Sequence, residues 1–405
     1  MYQTLTLPNG LRLVHLYCDT PVAYCGFAIN AGTREEDSEE FGMAHFVEHM
    51  LFKGTRKRKA WHILNRMEAV GGELNAYTTK EETFVYSVFL ESHFERAFEL
   101  LADLVLHSSF PDNEVRKEKE VILEEIHSYE DNPSELIYDE FENLLFEGHA
   151  LGHPILGTPQ SLSSFSSAAG LRFVEQHYCP ANMVFFSMGR TDFKKITRWA
   201  EHYTGDKNGG LYAPRRNAPV RIPCRQKSCE KDTSQAHVMI GGQSYGLHEE
   251  KRVGLYLINN ILGGPGMNSR LNLSLREKKG WVYQVDSSLT SYSDTGVFSV
   301  YFGSEKRYAE KCIKLIFKEL KQLREQKLSE SQLSAAKKQL MGQMGISNEH
   351  RENTFLSLGK SFLHYNRYDS LSEICEKIES LTAPSLQEIC NEIFDEKELF
   401  ILTYE

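Results

Sequence analysis

One pattern occurs twice in this chain, and it limits the fold more than any other feature. Residues 73–79 and 83–90 read as two strand-length segments joined by a short polar turn, and so do residues 282–290 and 296–302. The runs Phe84-Val85-Tyr86-Ser87-Val88-Phe89 and Val297-Phe298-Ser299-Val300-Tyr301-Phe302 are similar in character. Ahead of each pair stand a strand-like segment (22–33 and 237–245), two helical segments and a glycine break. In the first half those helices are one around His45–His49 and one over 61–70, before Gly71-Gly72. In the second they are 253–262 and a helix ending near Lys279, before Gly280. Helical stretches follow each pair, over 94–107, 113–129 and 133–145, then over 308–326, 329–345 and 351–364. This order predicts a duplicated α+β fold, two homologous domains that each pack a mostly antiparallel sheet with helices. A regular βαβ alternation fits it less well.

At 405 residues the chain exceeds one ordinary core, and two domains of about 200 residues are the expectation. Gly205, Gly209, Gly210, Pro214 and Pro219 lie among basic and polar residues, which is linker chemistry. The expected division is residues 1–205, a linker over 206–221, and residues 222–405. A hairpin turn at Asn9-Gly10, between Leu5/Leu7 and Leu11/Leu13, starts the first domain near its first residue.

The net charge of −10 argues against nucleic-acid binding, which favours a basic face. No apolar run approaches the roughly 18 residues of a membrane span. The N-terminus lacks a basic segment followed by an apolar one, so no signal peptide is expected and the expected location is cytoplasmic. None of the eight cysteines forms a CxxC pair, which favours free thiols in a reducing compartment.

His45-Phe46-Val47-Glu48-His49 carries the chemistry. Two histidines four apart on a helix share a face and can chelate one ion. Glu48 is adjacent to His49 but poorly placed to join both histidines as a ligand, which suits a general base acting on a water. Met43, Ala44, Phe46, Val47, Met50 and Leu51 surround these polar groups with apolar ones, so the helix is expected to be buried.

A third protein ligand is sought on the helix over 113–129, with Asp112 as cap and Asn132-Pro133 as stop. Val115, Ile122, Ile126 and Tyr129 mark its buried stripe. Glu118 and Glu125 are seven apart beside that stripe, whereas Glu124 points about 100° away from Glu125. The helical geometry selects Glu125 as ligand and Glu118 as an accessory carboxylate, though a glutamate-rich helix can equally be a solvated face. His149 and His153 are also four apart, but Gly152 and Pro154 make them loop residues. Gly263-Gly264-Pro265-Gly266 lacks the Lys-Ser/Thr of a phosphate loop and reads as a turn.

His45-Phe46-Val47-Glu48-His49-Met50-Leu51-Phe52-Lys53-Gly54-Thr55 resembles the signature of the pitrilysin/insulinase family of inverted-motif zinc peptidases, in the two-domain form of the bacterial processing type. Val121-Ile122-Leu123-Glu124-Glu125-Ile126 resembles the segment with the family's third ligand, which puts that ligand at Glu125 and the accessory glutamate at Glu118. Gly71-Gly72-Glu73-Leu74-Asn75-Ala76-Tyr77-Thr78 resembles the family's substrate-pairing edge strand, with Asn75 and Ala76 as binding residues. The segment 275–283 is similar to one whose arginine holds substrate and whose tyrosine bonds the oxyanion, here Arg276 and Tyr283.

The resemblance implies a zinc metalloendopeptidase with one Zn2+ per chain, since the second half has no HxxEH counterpart. It implies cleavage of peptides or unfolded segments, a homodimer, and no nucleic-acid or membrane partner. The alternative is a catalytically silent family subunit serving as a scaffold.

Overall fold

The computed structural model describes residues 2–207, 209, 216–231 and 233–405. In chain order the helices of the first half are α1 (Met43–Leu51), α2 (Ala60–Glu68), α3 (Phe94–His107), α4 (Asp112–Glu130), α5 (Pro133–Leu145), α6 (Pro159–Ser164), α7 (Ser167–His177) and α8 (Phe193–Thr204). Those of the second are α9 (Arg252–Gly263), α10 (Ala309–Glu325), α11 (Glu330–Asn348), α12 (Arg351–Tyr365), α13 (Leu371–Glu379) and α14 (Ala383–Ile393). They form two compact units. One comprises Met1–His127, His153–Arg216 and Glu349–Tyr368; the other comprises Ser128–Gly152, Asn217–Asn348 and Asp369–Glu405.

In the first unit, β1 (Tyr2–Thr6), β2 (Arg12–Tyr17), β3 (Val22–Ile29), β4 (Glu73–Thr78), β5 (Thr83–Leu90) and β6 (Met183–Gly189) form a sheet of order β1-β2-β6-β3-β5-β4. Only β2 and β6 pair in parallel. Gly10, at φ +88°, closes the expected hairpin between β1 and β2. Successive strand residues point to opposite faces. Phe27, Val85 and Phe185 therefore pack among Phe46, Met50, Phe98 and Leu101 of the helices on one side. Ala28, Phe84, Val184 and Phe186 pack on the other against Phe355, Leu358 and Phe362 of α12. Arg12 reaches the end of α12 and donates to the carbonyls of Phe362 and Leu363, at 3.2 and 3.3 Å. The Phe362 carbonyl also accepts from the Asn366 amide at 3.1 Å, whereas a carbonyl of the last turn such as that of Leu363 has no partner within the helix.

In the second unit, β7 (Gln226–Cys229), β8 (Ala236–Ser244), β9 (Val282–Ser291), β10 (Gly296–Ser304) and β11 (Phe400–Tyr404) take the order β7-β11-β8-β10-β9. This repeats β2-β6-β3-β5-β4 strand for strand, with the parallel pair β7–β11 in the place of β2–β6 and, among the described residues, no counterpart of β1 outside it. The two mostly antiparallel sheets with helices are the α+β duplication that the repeated pattern predicts. Leu255, Ile258, Ile316 and Ile389 of the helices cover one face. Ile137, Phe141 and Leu145 of α5 cover the other, against Met239, Val297, Leu402 and Tyr404.

Each unit thus takes one helix from the other half of the sequence: α12 in the first, α5 in the second. The division into 1–205, 206–221 and 222–405 assigns those two helices the other way. Residues 208 and 210–215 of the expected linker lie outside the described residues. Arg216, near its end, is anchored in the first unit, 2.7 Å from Glu35 and donating to the Glu81 carbonyl at 2.8 Å.

Two local expectations differ. Helix α4 begins at Asp112 itself, because the Pro111 carbonyl already accepts from the amides of Glu114 and Val115. The helix expected to end near Lys279 is π-helical over Asn272–Glu277. There Ser274 donates to the Arg270 carbonyl at 2.8 Å, a side-chain bond that competes with the regular helix ladder. The eight cysteines are all unpaired. Among the described residues no helix is long and apolar enough to cross a membrane.

Candidate metal centre

Helix α1 is set by what surrounds it. Gly42, at φ +94°, turns the chain into the helix and supplies no cap of its own. The Glu36 carboxylate caps instead, accepting from the amides of Gly42 and Ala44 at 2.8 and 2.7 Å. Glu36 is in turn 3.0 Å from His153 Nε2, and that ring stacks on Phe41. His153 is thus a structural loop residue, as its glycine and proline neighbours predict.

With Phe46, Val47, Met50 and Leu51 fully buried, His45, Glu48 and His49 are held on one side of α1. Glu125 comes to them from α4. His45 Nε2 lies 3.7 Å from one Glu125 oxygen, and His49 Nε2 lies 3.6 Å from the other. These separations are too long for hydrogen bonds. They are near the roughly 3.3–3.5 Å expected between two ligands of one tetrahedral zinc ion with bonds of about 2.1 Å. The three donors lie within 4.8 Å of one another. His45 Nδ1 is buried without a partner, which leaves Nε2 as the nitrogen facing Glu125.

Two imidazoles and a carboxylate are a zinc donor set with room for a fourth, open position. Burial, and then His49, lower the pKa of His45 to about 3, so the ring is neutral as a ligand must be. Burial alone would lower the pKa of His49, but the hydrogen bond that it donates to Glu118 and the charges of Glu48 and Glu125 outweigh burial and raise it. The residues fit the ion.

Glu118 is buried on the same face of α4, its Oε1 at 2.9 Å from His49 Nδ1 and its Oε2 at 2.6 Å from Lys53 Nζ. Burial opposes its charge, but His49 and Lys53 prevail and hold its pKa below the ordinary value. Glu124, by contrast, is exposed. Glu48 accepts from Thr78 Oγ1 at 2.6 Å, and burial raises its pKa against the effect of that bond.

Thr78 ends β4, which pairs with β5 alone among the described residues and so presents an open edge. Asn75 and Ala76 are half-buried on this strand. The sequence reading missed Thr78 and Lys53 as neighbours of the centre. Thr78 lies two residues beyond Ala76 and so shares its face, the one signal available in the sequence.

Arg276 and Tyr283 lie in the second unit. Arg276 is exposed on the π-helical turn, and Tyr283, 83% exposed, stands at the start of β9. Both line a cleft of about 550 Å³ with Gly263, Gly264 and Asp286. The glycine run closes α9 and forms one wall of this cleft.

Comparison with known proteins agrees with the motif. A family model described as "Insulinase (Peptidase family M16)" matches residues 14–159, and one described as "Peptidase M16 inactive domain" matches residues 164–340. The chain is 31% identical over 401 residues to "Uncharacterized zinc protease YmxG" of Bacillus subtilis, covering 98% of this chain and 96% of that protein. It is 35% identical over 401 residues to an "Uncharacterized zinc protease" of Rickettsia felis, covering 96% and 94%. A protease from Helicobacter pylori superposes with a TM-score of 0.93 over 100% of this chain and 99% of that one, at 22% identity. A peptidase M16 inactive domain from Pseudomonas fluorescens gives 0.91 over 100% and 98%, at 20% identity. At such identities the structural likeness is one of fold. The metal motif lies within the first matched segment and the relatives are matched over nearly their whole length, so the chain belongs to the insulinase family, peptidase family M16.

Proposed function

We propose that the chain is a zinc-dependent endopeptidase acting on peptides or unfolded polypeptide segments. The observation that carries this reading is the approach of His45, His49 and Glu125 to one point, with the Glu48 carboxylate beside them. His45, His49 and Glu125 hold one zinc ion per chain. Zinc there supplies Lewis acidity, polarising a water molecule and the scissile carbonyl.

Glu48 accepts the proton of the attacking water and passes it to the leaving amine. Glu118 fixes His49 through Nδ1, so that Nε2 faces the ion. The open edge of β4 pairs with the backbone of an extended substrate at Asn75 and Ala76, which gives affinity without a strict sequence. Tyr283 offers a phenol donor for charge developing on the carbonyl oxygen, and Arg276 a cation to hold substrate. A homodimer is the proposed assembly, to be measured by light scattering.

A catalytically silent scaffold subunit has no use for a full donor set with a base beside it, and both are present here. The test is cleavage of a mixed peptide pool, followed by mass spectrometry. Cleavage should stop when the metal is chelated and return with zinc. Cleavage undiminished in metal-depleted protein contradicts the reading.

A further inference from the structure

We infer that Thr78 is a positioning residue for the general base, its hydroxyl fixing the Glu48 carboxylate from the strand that receives the substrate. This rests on the endopeptidase reading and deepens it. Thr78 Oγ1 donates to Glu48 Oε2 at 2.6 Å, the one hydrogen bond of that carboxylate among the described residues. The terminal torsion of a glutamate is soft, so a carboxylate without such a bond samples many orientations. With Oε2 tied, Oε1 is the oxygen left to take a proton.

The hydroxyl is not needed to close the β4–β5 hairpin. That turn is made by Thr79, whose amide and hydroxyl donate to the Glu82 carbonyl at 2.8 and 3.2 Å and whose Oγ1 accepts from the Glu82 amide at 3.2 Å. Across the ladder Thr83, the partner of Thr78, spends its own hydroxyl on the Ala31 carbonyl. Thr78 is therefore free to serve α1, and it does so from the last residue of the edge strand. A peptide paired along Asn75–Tyr77 would lie on the same strand that orients the base. Substrate register and base position then share one rigid element, which is what precise placement of a reacting group requires.

The experiment compares wild type, Thr78→Val, Thr78→Ser and Glu48→Gln for zinc content, thermal unfolding, kcat and KM on one peptide. Thr78→Val keeps the shape and loses the hydroxyl. It should retain zinc and fold while kcat falls about 10- to 100-fold with KM nearly unchanged, and Thr78→Ser should restore kcat to within about threefold. If valine is not accommodated and the protein unfolds early, Thr78→Ala makes the same comparison. Wild-type activity that Glu48→Gln abolishes and Thr78→Val leaves intact overturns this inference alone. A Thr78→Ser variant as impaired as Thr78→Val, or a loss confined to KM, also overturns it. Wild type without peptidase activity removes the endopeptidase reading and this inference together.

Discussion

The Nδ1 of His49 lies 2.9 Å from Oε1 of Glu118. This bond fixes the tautomer and the ring plane, leaving Nε2 as the nitrogen that faces Glu125, and Lys53 at 2.6 Å keeps Glu118 charged and in place. Glu118→Gln is therefore expected to weaken zinc affinity about 10- to 100-fold, and Lys53→Met to weaken it less in the same direction. Competition with a chromogenic chelator measures both. An unchanged affinity in Glu118→Gln would separate Glu118 from the metal centre.

Neighbouring glutamates on α4 should behave differently. Glu125 faces both imidazoles at 3.6–3.7 Å, whereas Glu124 is exposed. Glu125→Gln should lose most of its bound zinc on dialysis and Glu124→Gln should keep it, as read by metal analysis. The reverse pattern would assign the ligand to Glu124.

Helix α12, which the first unit takes from the second half of the sequence, is tightly packed. A Cβ added at Gly359 of α12 would meet the Phe186 ring at 2.7–2.9 Å. That ring is stacked on Phe355 at 4.4 Å and is fully buried. In an exposed helix Gly→Ala is stabilising by about 1 kcal/mol. Here overpacking reverses the sign, and Gly359→Ala should destabilise by about 1–3 kcal/mol in chemical denaturation. Stabilisation instead would mean that α12 packs more loosely on β6.

The same helix carries a pH dependence. Glu82, in the β4–β5 turn, binds His364 Nε2, and its Oε1 lies 2.5 Å from Lys360 Nζ. Burial alone would raise its pKa, but His364 and Lys360 override it and hold it down at about 2, against an ordinary 4.5. Between those values the folded chain binds fewer protons than the unfolded one. The stabilisation is thus complete above about pH 4.5 and is lost as pH falls toward 2. Glu82→Gln should cost about 3 kcal/mol at neutral pH and flatten the stability profile over that window. An unaltered acid limb in the variant would place the titrating group elsewhere.

Local signals carried much of the architecture. Strand pairs, most helices and the buried setting of α1 follow from periodicity, glycine breaks and caps. The placement of Glu125 over Glu124 follows from helical rotation and from resemblance. Strands β6 and β11 went unnamed although they are central, because Met183–Gly189 and Phe400–Tyr404 are buried on both faces and show no alternation. The exchange of α5 and α12 left no local trace, since an amphipathic helix does not say which sheet it covers. Thr78 and Lys53 were missed for a related reason: one hydroxyl and one ammonium acquire meaning only when strand and helix meet.

The central claim is that this donor set holds zinc and that Glu48 moves the proton. Its most direct test is the zinc content and peptide turnover of Glu48→Gln beside wild type. One zinc per chain in both proteins, with turnover in the variant reduced at least about 100-fold, is the expected result. Normal turnover in Glu48→Gln, or wild type that binds no zinc, would contradict it.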